Sequence, residues 1–413
     1  MRYALIGEKL GHSYSPQIHA LLGNAEYELK EIAPENLPAF LREKQFCGLN
    51  VTIPYKRDVV PFCDELSDTA RETGCVNTLV VRKDGTLYGH NTDIGGFIQM
   101  LRSAGIDPCG KKAVILGSGG TSLTASSALK RLNAAEIHVV SRSGALNYGN
   151  LAALHGDAQI IVNASPAGMY PNNGECLVNL ADFPALEGVA DVVYNPEKTA
   201  LILQAEARGV PCVSGLEMLA AQAREAEEAF MGREIPPEID RAVVGEIKFS
   251  TLNLILVGMP GCGKSSLGRL TAKRLGRRFI DLDQEIALRA GKSIPEIFQT
   301  DGEARFREME TQAMQAFGKL SGAVIATGGG AILRDENVRV MRQNGRVCFV
   351  RRALEALPRD GRPLSASESA VERLWRERRE KYLAASDFTI ENNDALQAVA
   401  QRIAEGFYEA AHH

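Results

Sequence analysis

Two glycine-rich turns, each placed between an apolar strand-like run and a helix-compatible stretch, constrain this chain more than any other feature. They are AVILGSGGTS at 113–122 and LILVGMPGCGKSS at 254–266. In such a turn, N–H groups at the start of the helix lack partners and the helix dipole favours anions, so phosphate binds there. The sequence therefore predicts two nucleotide-binding units. Because short strands alternate with amphipathic helices throughout, it also predicts the α/β class with parallel sheets.

The length of 413 residues predicts two or three domains. A phosphate loop of the second type usually opens its domain, so the strand before it marks a boundary, and the polar stretch containing Pro236 and Pro237 precedes it. The expected divisions are a substrate domain at 1–100 with 215–240 packing back on it, a Rossmann domain at 101–214, a connector at 241–251 and a phosphate-loop domain at 252–413.

Charge and cysteine content exclude several classes of function. The 47 basic and 51 acidic residues give a net charge of -4, without the cationic excess that binding to nucleic acid requires. The eight cysteines are scattered without CxxC pairs or metal-ligand spacing, as is typical of reduced thiols in the cytoplasm. No apolar run approaches the roughly 18 residues that a membrane span needs. We therefore expect a cytoplasmic protein with small-molecule partners, and its oligomeric state stays open.

The first glycine turn has the features of a dinucleotide site. Gly117 permits the tight turn, Gly119 lets the backbone approach a pyrophosphate, and the small Ser122 stands where the third glycine would be. The residues expected to contact the cofactor here are Gly117, Ser118, Gly119, Gly120 and Thr121.

The end of the following strand indicates which dinucleotide binds. An NAD enzyme places an acid on the ribose 2′-hydroxyl about twenty residues after the turn, but here stand Ser141, Arg142 and Ser143. A guanidinium forms charged hydrogen bonds to a 2′-phosphate, which favours NADP. The alternative is a surface arginine in a loop.

Four polar clusters interrupt otherwise apolar sequence before the first turn. Their hydroxyl, amide, amine and carboxylate groups suit a small ligand that bears hydroxyls and a carboxylate. Lys56 near Asp93 can donate a proton to a carbonyl oxygen that receives hydride. Alternatively, Lys56 is a solvated surface residue and Asp93 caps a helix. The candidate residues are Ser13, Ser15, Asn50, Thr52, Lys56, Asn77, Asn91 and Asp93.

The second turn, GMPGCGKS, matches the phosphate-loop pattern GxxxxGKS directly after a strand. Backbone amides of this loop enclose the phosphates, Lys264 reaches the terminal ones, and Ser265 supplies an oxygen to Mg²⁺. The pattern predicts that a nucleoside triphosphate binds here, but it does not identify the molecule that accepts the phosphoryl group. The nucleotide-contacting residues are Gly258, Met259, Pro260, Gly261, Cys262, Gly263, Lys264, Ser265 and Ser266.

Residues downstream point to an anionic hydroxyl acceptor. Strand alternation would place Asp281 and Asp283 on one face, where one orders metal-bound water and the other accepts a hydroxyl proton. The glycines at 328–330 allow a ligand to approach the backbone closely, and LPRDGRPLS suits a lid. Three arginines can bind a carboxylate or the transferred phosphoryl group: Arg307, Arg362 and Arg378.

Residues 1 to about 240 resemble shikimate dehydrogenase, through the SxS, NVTxPxK, VNT, NTD, GxGG and GxxMLxxQ motifs. The resemblance implies that Lys56 and Asp93 are the catalytic pair and that Asn163 and Tyr194 lie beside nicotinamide and substrate. The family's usual GAGGA and NRT read GSGGT and SRS here, which leaves the turn and the arginine intact. The residues implied to hold the shikimate-type ligand are Ser13, Ser15, Asn50, Thr52, Asn77 and Gln222.

Residues 252–410 resemble shikimate kinase, a nucleoside-monophosphate-kinase-like α/β fold, through DLD, FRxxE, GGG, RPL and an arginine four residues before a tyrosine. The resemblance implies that Asp281 acts through Mg²⁺ and that Arg362 steadies the transferred phosphate. Arg359 is the candidate for contacting adenine. The residues implied to hold shikimate are Asp283, Arg307, Gly329, Gly330 and Arg378.

Together the two resemblances predict a fusion of consecutive reactions. NADPH would reduce 3-dehydroshikimate to shikimate, and ATP with Mg²⁺ would phosphorylate shikimate to shikimate 3-phosphate. One alternative is a sensor that binds pathway intermediates without turnover, although such a protein has no need of proton-transfer groups. Another is a dehydrogenase half that prefers quinate.

Overall fold

The computed structural model describes residues 2–11, 13–357 and 368–413. The chain forms two compact units, one comprising Met1–Tyr194 with Thr199–Ile247 and the other Asn195–Lys198 with Lys248–His413. Most of the predicted lid, including Arg359 and Arg362, lies outside the described residues.

The first sheet of the first unit carries the candidate substrate residues. Its strands are β1 (Tyr3–Gly7), β2 (Tyr27–Glu31), β3 (Gly48–Val51), β4 (Glu65–Leu66), β5 (Thr78–Val81) and β6 (Leu87–His90), in the order β2-β1-β3-β5-β6-β4. The helices are α1 (Ser15–Leu21), α2 (Leu37–Glu43), α3 (Asp68–Thr73) and α4 (Asp93–Ser103). Pairing of β5 with β3 and β6 is antiparallel, which corrects the expectation of purely parallel sheets. Only five residues join β5 to β6, including Asp84 and Gly85, and so short a link makes a hairpin rather than a crossover.

The second sheet of this unit is fully parallel and carries the dinucleotide turn. Its strands are β7 (Lys112–Leu116), β8 (Glu136–Val140), β9 (Ile160–Asn163), β10 (Gly188–Asp191) and β11 (Cys212–Ser214), in the order β11-β10-β9-β7-β8. The helices are α5 (Gly120–Arg131), α6 (Leu151–His155), α7 (Ala200–Ala207) and α8 (Gly215–Met231). The chain leaves β7 towards β8 on one side and β9 on the other, and a ligand crevice forms at such a switch point.

The segment expected to be a connector, 241–251, forms most of α9 (Ile239–Thr251). Val243, Val244 and Ile247 recur at helical spacing and are buried in one cluster with Ile18. The expected connector is therefore helical, and this buried apolar face packs its residues up to Ile247 against the first unit, whereas residues 248–251 belong to the second.

The sheet of the second unit is also fully parallel. Its strands are β12 (Asn253–Val257), β13 (Phe279–Asp281), β14 (Val324–Ala326), β15 (Gly345–Arg351) and β16 (Phe388–Glu391), in the order β13-β14-β12-β15-β16. The helices are α10 (Lys264–Leu275), α11 (Leu282–Ala290), α12 (Ile294–Thr300), α13 (Gly302–Phe317), α14 (Asp335–Gln343), α15 (Glu368–Ala385) and α16 (Leu396–His412). Across the described ranges of both units, no helix has the length and apolarity needed to span a bilayer.

Candidate active sites

Lys56 and Asp93 form an ion pair in the first unit. The Lys56 Nζ lies 2.7 Å from Asp93 Oδ2, although the two residues are 37 positions apart. Lys56 follows the end of β3 and Asp93 begins α4, so the pair joins a strand end to a helix start. The lysine is half-buried and the aspartate is buried. An ammonium group held in this way is positioned to donate a proton.

Asn77 fixes the carboxylate of this pair. Its Nδ2 donates to Asp93 Oδ1 at 2.9 Å, and its Oδ1 accepts from the Thr92 backbone N–H at 2.9 Å. The Asp93 backbone N–H donates to Asn91 Oδ1 at 3.0 Å. Both oxygens of Asp93 therefore have fixed partners, and the carboxylate cannot rotate away from Lys56 without breaking a buried hydrogen bond.

Other predicted substrate residues surround a cavity of about 480 Å³, which Ser13, Thr52 and Tyr194 line. Ser13 Oγ lies 3.1 Å from Ser15 Oγ, to which it donates. Lys56 and Asp93 are not among the described lining residues of this cavity. The predicted residues therefore fall into two groups, those that line the cavity and the Lys56–Asp93 pair, and the loop from Thr52 to Lys56 connects them. A polyhydroxylated ligand would find hydroxyl partners in one group and the proton donor in the other.

Asn50 and Gln222 pack beside these groups. The Tyr27 hydroxyl donates to Asn50 Oδ1 at 2.7 Å, and Asn50 Nδ2 donates to Thr78 Oγ1 at 3.1 Å. Gln222 is half-buried on α8 and lies close to Gly96 of α4. A Cβ added to Gly96 would stand 3.0 Å from the Cβ of Gln222. Their implied contacts with substrate stay predictions.

The first glycine turn has the geometry of a pyrophosphate cradle. Gly117 has a φ of +107°, and a Cβ there would stand 3.0 Å from Ser165 Cβ, so glycine is required. Gly119 precedes α5, and a Cβ on Gly119 or Gly120 would meet no atom within 4 Å. Open space beside the first N–H groups of a helix suits an anionic ligand. The residues present therefore fit a dinucleotide.

Two residues predicted to contact this cofactor differ in their surroundings. Arg142 is exposed just beyond the end of β8, between Ser141 and Ser143, as a 2′-phosphate ligand would require. Asn163 is only 2% exposed at the end of β9. Its Nδ2 donates to Asp191 Oδ1 at 2.9 Å and to the Ala167 carbonyl at 3.1 Å. Asn163 therefore holds two loops together, and its role beside nicotinamide stays a prediction.

The second glycine turn forms a phosphate loop at the start of α10. Gly258, Gly261 and Gly263 have φ values of +146°, +83° and +99°, which residues with a side chain rarely adopt. Lys264 Nζ donates to the carbonyl oxygens of Gly258 and Met259 at 2.8 and 3.0 Å, so the amine lies folded over the loop. This is the arrangement of a site for nucleotide phosphates.

A cavity of about 540 Å³ adjoins the loop and contains most of the predicted acceptor residues. Arg307 donates to Glu310 Oε2 at 2.8 Å, and Arg378 donates to the Gly329 carbonyl at 3.0 Å. A Cβ at Gly330 would displace the Arg307 guanidinium from this position. The lining residues that the sequence predicts are Pro260, Gly261, Gly263, Lys264, Ser265, Ser266, Asp283, Arg307, Gly328, Gly329, Gly330 and Arg378.

Three buried polar atoms beside this cavity have no hydrogen-bond partner among the described residues. They are Asp283 Oδ1, Glu310 Oε1 and Arg378 Nε. A buried polar atom without a partner costs about 1–3 kcal/mol, so a cluster of them indicates that a ligand supplies the partners. The two acidic oxygens can accept from hydroxyls, and the arginine can donate to an anion. The cavity therefore fits a hydroxylated anion.

The two aspartates of DLD do not alternate along a strand, which corrects the sequence interpretation. β13 ends at Asp281, whose side chain accepts from the Gln284 N–H and caps α11, while Asp283 lies in the first turn of that helix. Asp283 lines the cavity, whereas Asp281 is not among its described lining residues. The short strand ends early because a helix cap begins at the same residue.

Burial raises the pKa of Asp283, an effect that Lys264 opposes and Asp281 reinforces. Burial likewise raises the pKa of Glu310, although Arg307 opposes it. A carboxylate with a raised pKa is a better acceptor for a hydroxyl proton. The sequence interpretation assigns Glu310 no role, although its position three residues after Arg307 on a helix is a usable signal.

Comparisons with known proteins agree with these sites. The family model described as the shikimate dehydrogenase substrate binding domain matches residues 5–79. The shikimate dehydrogenase (NADP(+)) of Clostridium perfringens (strain SM101 / Type A) is 34% identical over 267 residues, which is 60% of this chain and 98% of that protein. The chain belongs to the shikimate dehydrogenase family.

Solved structures resemble the dehydrogenase part. A chorismate mutase/shikimate 5-dehydrogenase fusion protein from Clostridium acetobutylicum is 36% identical with a TM-score of 0.55, covering 58% of this chain and 94% of that one. A quinate dehydrogenase from Corynebacterium glutamicum in complex with NAD is 27% identical with a TM-score of 0.54, covering 59% of this chain and 98% of that one. Both cover only the dehydrogenase portion.

The rest of the chain matches a different family. The family model described as shikimate kinase matches residues 260–407, which include most of the phosphate loop and the acceptor cavity. The chain is therefore a dehydrogenase joined to a kinase domain, and the predicted fusion and α/β class are confirmed.

Proposed function

We propose that the first unit reduces 3-dehydroshikimate to shikimate with NADPH, and that the second transfers the γ-phosphoryl group of ATP to shikimate. The main support is that one chain contains both kinds of site. The first is a lysine paired with an aspartate that can donate a proton, and the second is a phosphate loop beside a cavity for a hydroxylated anion. The two reactions share one molecule, since the product of the first is the acceptor of the second. The partners are then small molecules, and the eight free cysteines suit the cytoplasm.

In the reduction, Lys56 would donate the proton that the carbonyl oxygen takes up as the carbonyl carbon receives hydride. Asp93 accepts from the amine at 2.7 Å, and Asn77 donates to the other oxygen of Asp93 at 2.9 Å, which keeps the carboxylate in position. NADPH supplies the hydride when bound, and the turn at Gly117–Thr121 holds its pyrophosphate.

In the phosphorylation, Asp283 accepts the proton of the attacking hydroxyl, and Arg307 and Arg378 bind the acceptor's carboxylate. Lys264 would leave the carbonyl oxygens of its own loop to contact the terminal phosphates. The Ser265 hydroxyl and, through ordered water, Asp281 would hold Mg²⁺, which neutralises developing phosphate charge when bound.

A direct assay tests both reactions on the purified full chain. NADPH and 3-dehydroshikimate are mixed and the absorbance of the reduced nicotinamide is followed, after which ATP with Mg²⁺ is added and the product mass is measured. We expect oxidation of NADPH and then a gain of one phosphoryl group. Binding of both ligands without turnover would instead indicate a sensor.

The likeness to a quinate dehydrogenase favours one second candidate, oxidation of quinate by the first unit. Quinate carries one more hydroxyl than shikimate, so its binding site needs one further hydrogen-bond partner. Relative kcat/KM values on the two acids decide between the substrates. We expect shikimate to be preferred, and the reverse ratio would assign the unit to quinate.

Arg142→Ala should raise the KM for NADPH about tenfold or more and leave the KM for NADH nearly unchanged, because only the phosphorylated ribose offers an anion to the guanidinium. Steady-state kinetics with both cofactors measure the effect. Arg131→Ala is the matched control, since Arg131 pairs with Glu72 on an exposed surface. Equal losses with NADPH and NADH would show that Arg142 does not recognise the 2′-phosphate.

A further inference from the structure

Arg352 stands out among the basic residues of the kinase cavity. It lines that cavity together with Gly261, Gly263 and Lys264, and it is half-buried. It directly follows β15, far in sequence from Asp281 and Asp283. Neither the glycine turn nor the family motifs include it.

The other basic residues of this cavity already have protein partners. Lys264 donates to two carbonyl oxygens of its loop, Arg307 pairs with Glu310, and Arg378 donates to the Gly329 carbonyl. Arg352, by contrast, makes no hydrogen bond or ion pair with any residue in the described part of the chain. A half-buried guanidinium that faces a cavity and has no partner among the described residues is available to an anionic ligand.

The sheet order decides which ligand Arg352 faces. Asp283 follows β13, the glycines at 328–330 follow β14, and the phosphate loop follows β12 at the centre. β15 lies on the opposite side of β12, with Phe349 beside Val257. The chain leaving β15 therefore enters the cavity on the side of the loop away from Asp283 and the glycines at 328–330.

Two contacts hold this segment against the loop. A Cβ on Gly258 would collide with the carbonyl oxygen of Val350, so strand and loop are in close contact. The Asn392 backbone N–H donates to the Arg351 carbonyl at 2.7 Å, and its Nδ2 donates to the Cys262 carbonyl at 2.7 Å. The position of Arg352 relative to the phosphate loop is thus fixed by the backbone.

We propose that Arg352 binds the phosphate groups of the nucleotide, from the side of the loop opposite the acceptor. It adds a fork of N–H donors to the single amine of Lys264, and it remains bound to the diphosphate product after transfer. The proposal deepens the kinase function proposed above and rests on it.

Calorimetric titration of the full chain with ADP tests the proposal without turnover. Arg352→Ala should raise the Kd for ADP about tenfold or more, and Arg352→Lys should recover part of the affinity because a charge returns without the planar fork. Adenosine, which lacks phosphate, should show no difference between wild type and variant. In steady-state assays the KM for ATP should rise while the KM for shikimate stays unchanged.

Arg351→Ala is the matched control. Arg351 is the exposed neighbour, pairs with Glu391 at 3.2 Å and lies over Trp375, so its loss should leave ADP affinity nearly unchanged. Unchanged ADP affinity in Arg352→Ala, or an equal loss for adenosine, would overturn the assignment. If wild type binds ADP but phosphorylates nothing, the proposed kinase function fails while the role of Arg352 stands.

Discussion

Lys56→Ala should lower kcat for reduction of 3-dehydroshikimate about 10²- to 10⁴-fold, the usual contribution of a positioned general acid. Hydride transfer leaves negative charge on the carbonyl oxygen, and without the ammonium group only water can supply the proton. The pair is structurally prepared for this role, since Asp93 holds Lys56 at 2.7 Å and Asn77 holds Asp93. The KM for NADPH should change little, because the glycine turn and Arg142, and not Lys56, are predicted to bind the phosphates of the cofactor.

Lys112→Ala provides the control for this variant. Lys112 is another half-buried lysine of the same unit and pairs with Asp157 at 2.8 Å, but it lies on β7 away from the predicted substrate residues. Dehydrogenase activity should persist there, and both variants should still phosphorylate shikimate. If Lys56→Ala keeps near wild-type kcat, or loses both activities together, the lysine is not a proton donor specific to reduction.

The parts of the sites that depend on local backbone geometry are predictable from sequence. The glycines at 117, 258, 261 and 263 adopt positive φ angles, so only residues without a Cβ fit there without strain. Such requirements leave a readable pattern in consecutive residues. The two nucleotide-binding turns can therefore be recognised from the amino-acid sequence by itself.

The pairing of Lys56 with Asp93 is of a different kind. The residues are 37 positions apart, and neither spacing nor composition distinguishes this pair from a surface lysine and a helix cap. The motif resemblance indicates the pair, and the fold explains it. β3 ends and α4 begins at the same edge of one sheet. Contacts that tertiary packing creates cannot be obtained from local pattern alone.

Two differences between the sequence interpretation and the structure have a common cause. The sequence predicts a connector at 241–251 and an alternating strand at DLD, yet the first segment is helical and the second passes from β13 into α11 after Asp281. In the first case buried valines on one helical face outweigh the polar composition. In the second, Asp281 is a helix cap, and capping depends on where the chain turns. Arg352 has no sequence signal for a similar reason, because its environment arises from strand order.

Asp283→Asn should lower kcat for shikimate phosphorylation about 10²- to 10⁴-fold. The amide that replaces the carboxylate cannot accept a proton from the attacking hydroxyl, although it keeps nearly the same shape. One carboxylate oxygen of Asp283 is buried without a partner among the described residues, and burial raises the pKa of the group. Both properties suit an acceptor for the hydroxyl proton of the substrate.

The structure offers a way to separate this role from stability. Asp301→Asn changes an aspartate of the same unit that pairs with Lys292 at 2.9 Å on the surface, and it should leave phosphorylation nearly unchanged. Reduction of 3-dehydroshikimate, measured on the same Asp283→Asn preparation, should also be unaffected, because Lys56 and Asp93 belong to the other unit. Full kinase activity in Asp283→Asn would remove the aspartate from the mechanism. A loss of kcat with an unchanged KM for shikimate, an unchanged melting temperature and intact dehydrogenase activity would assign the loss to proton transfer, because misfolding would lower the melting temperature and lost binding would raise the KM.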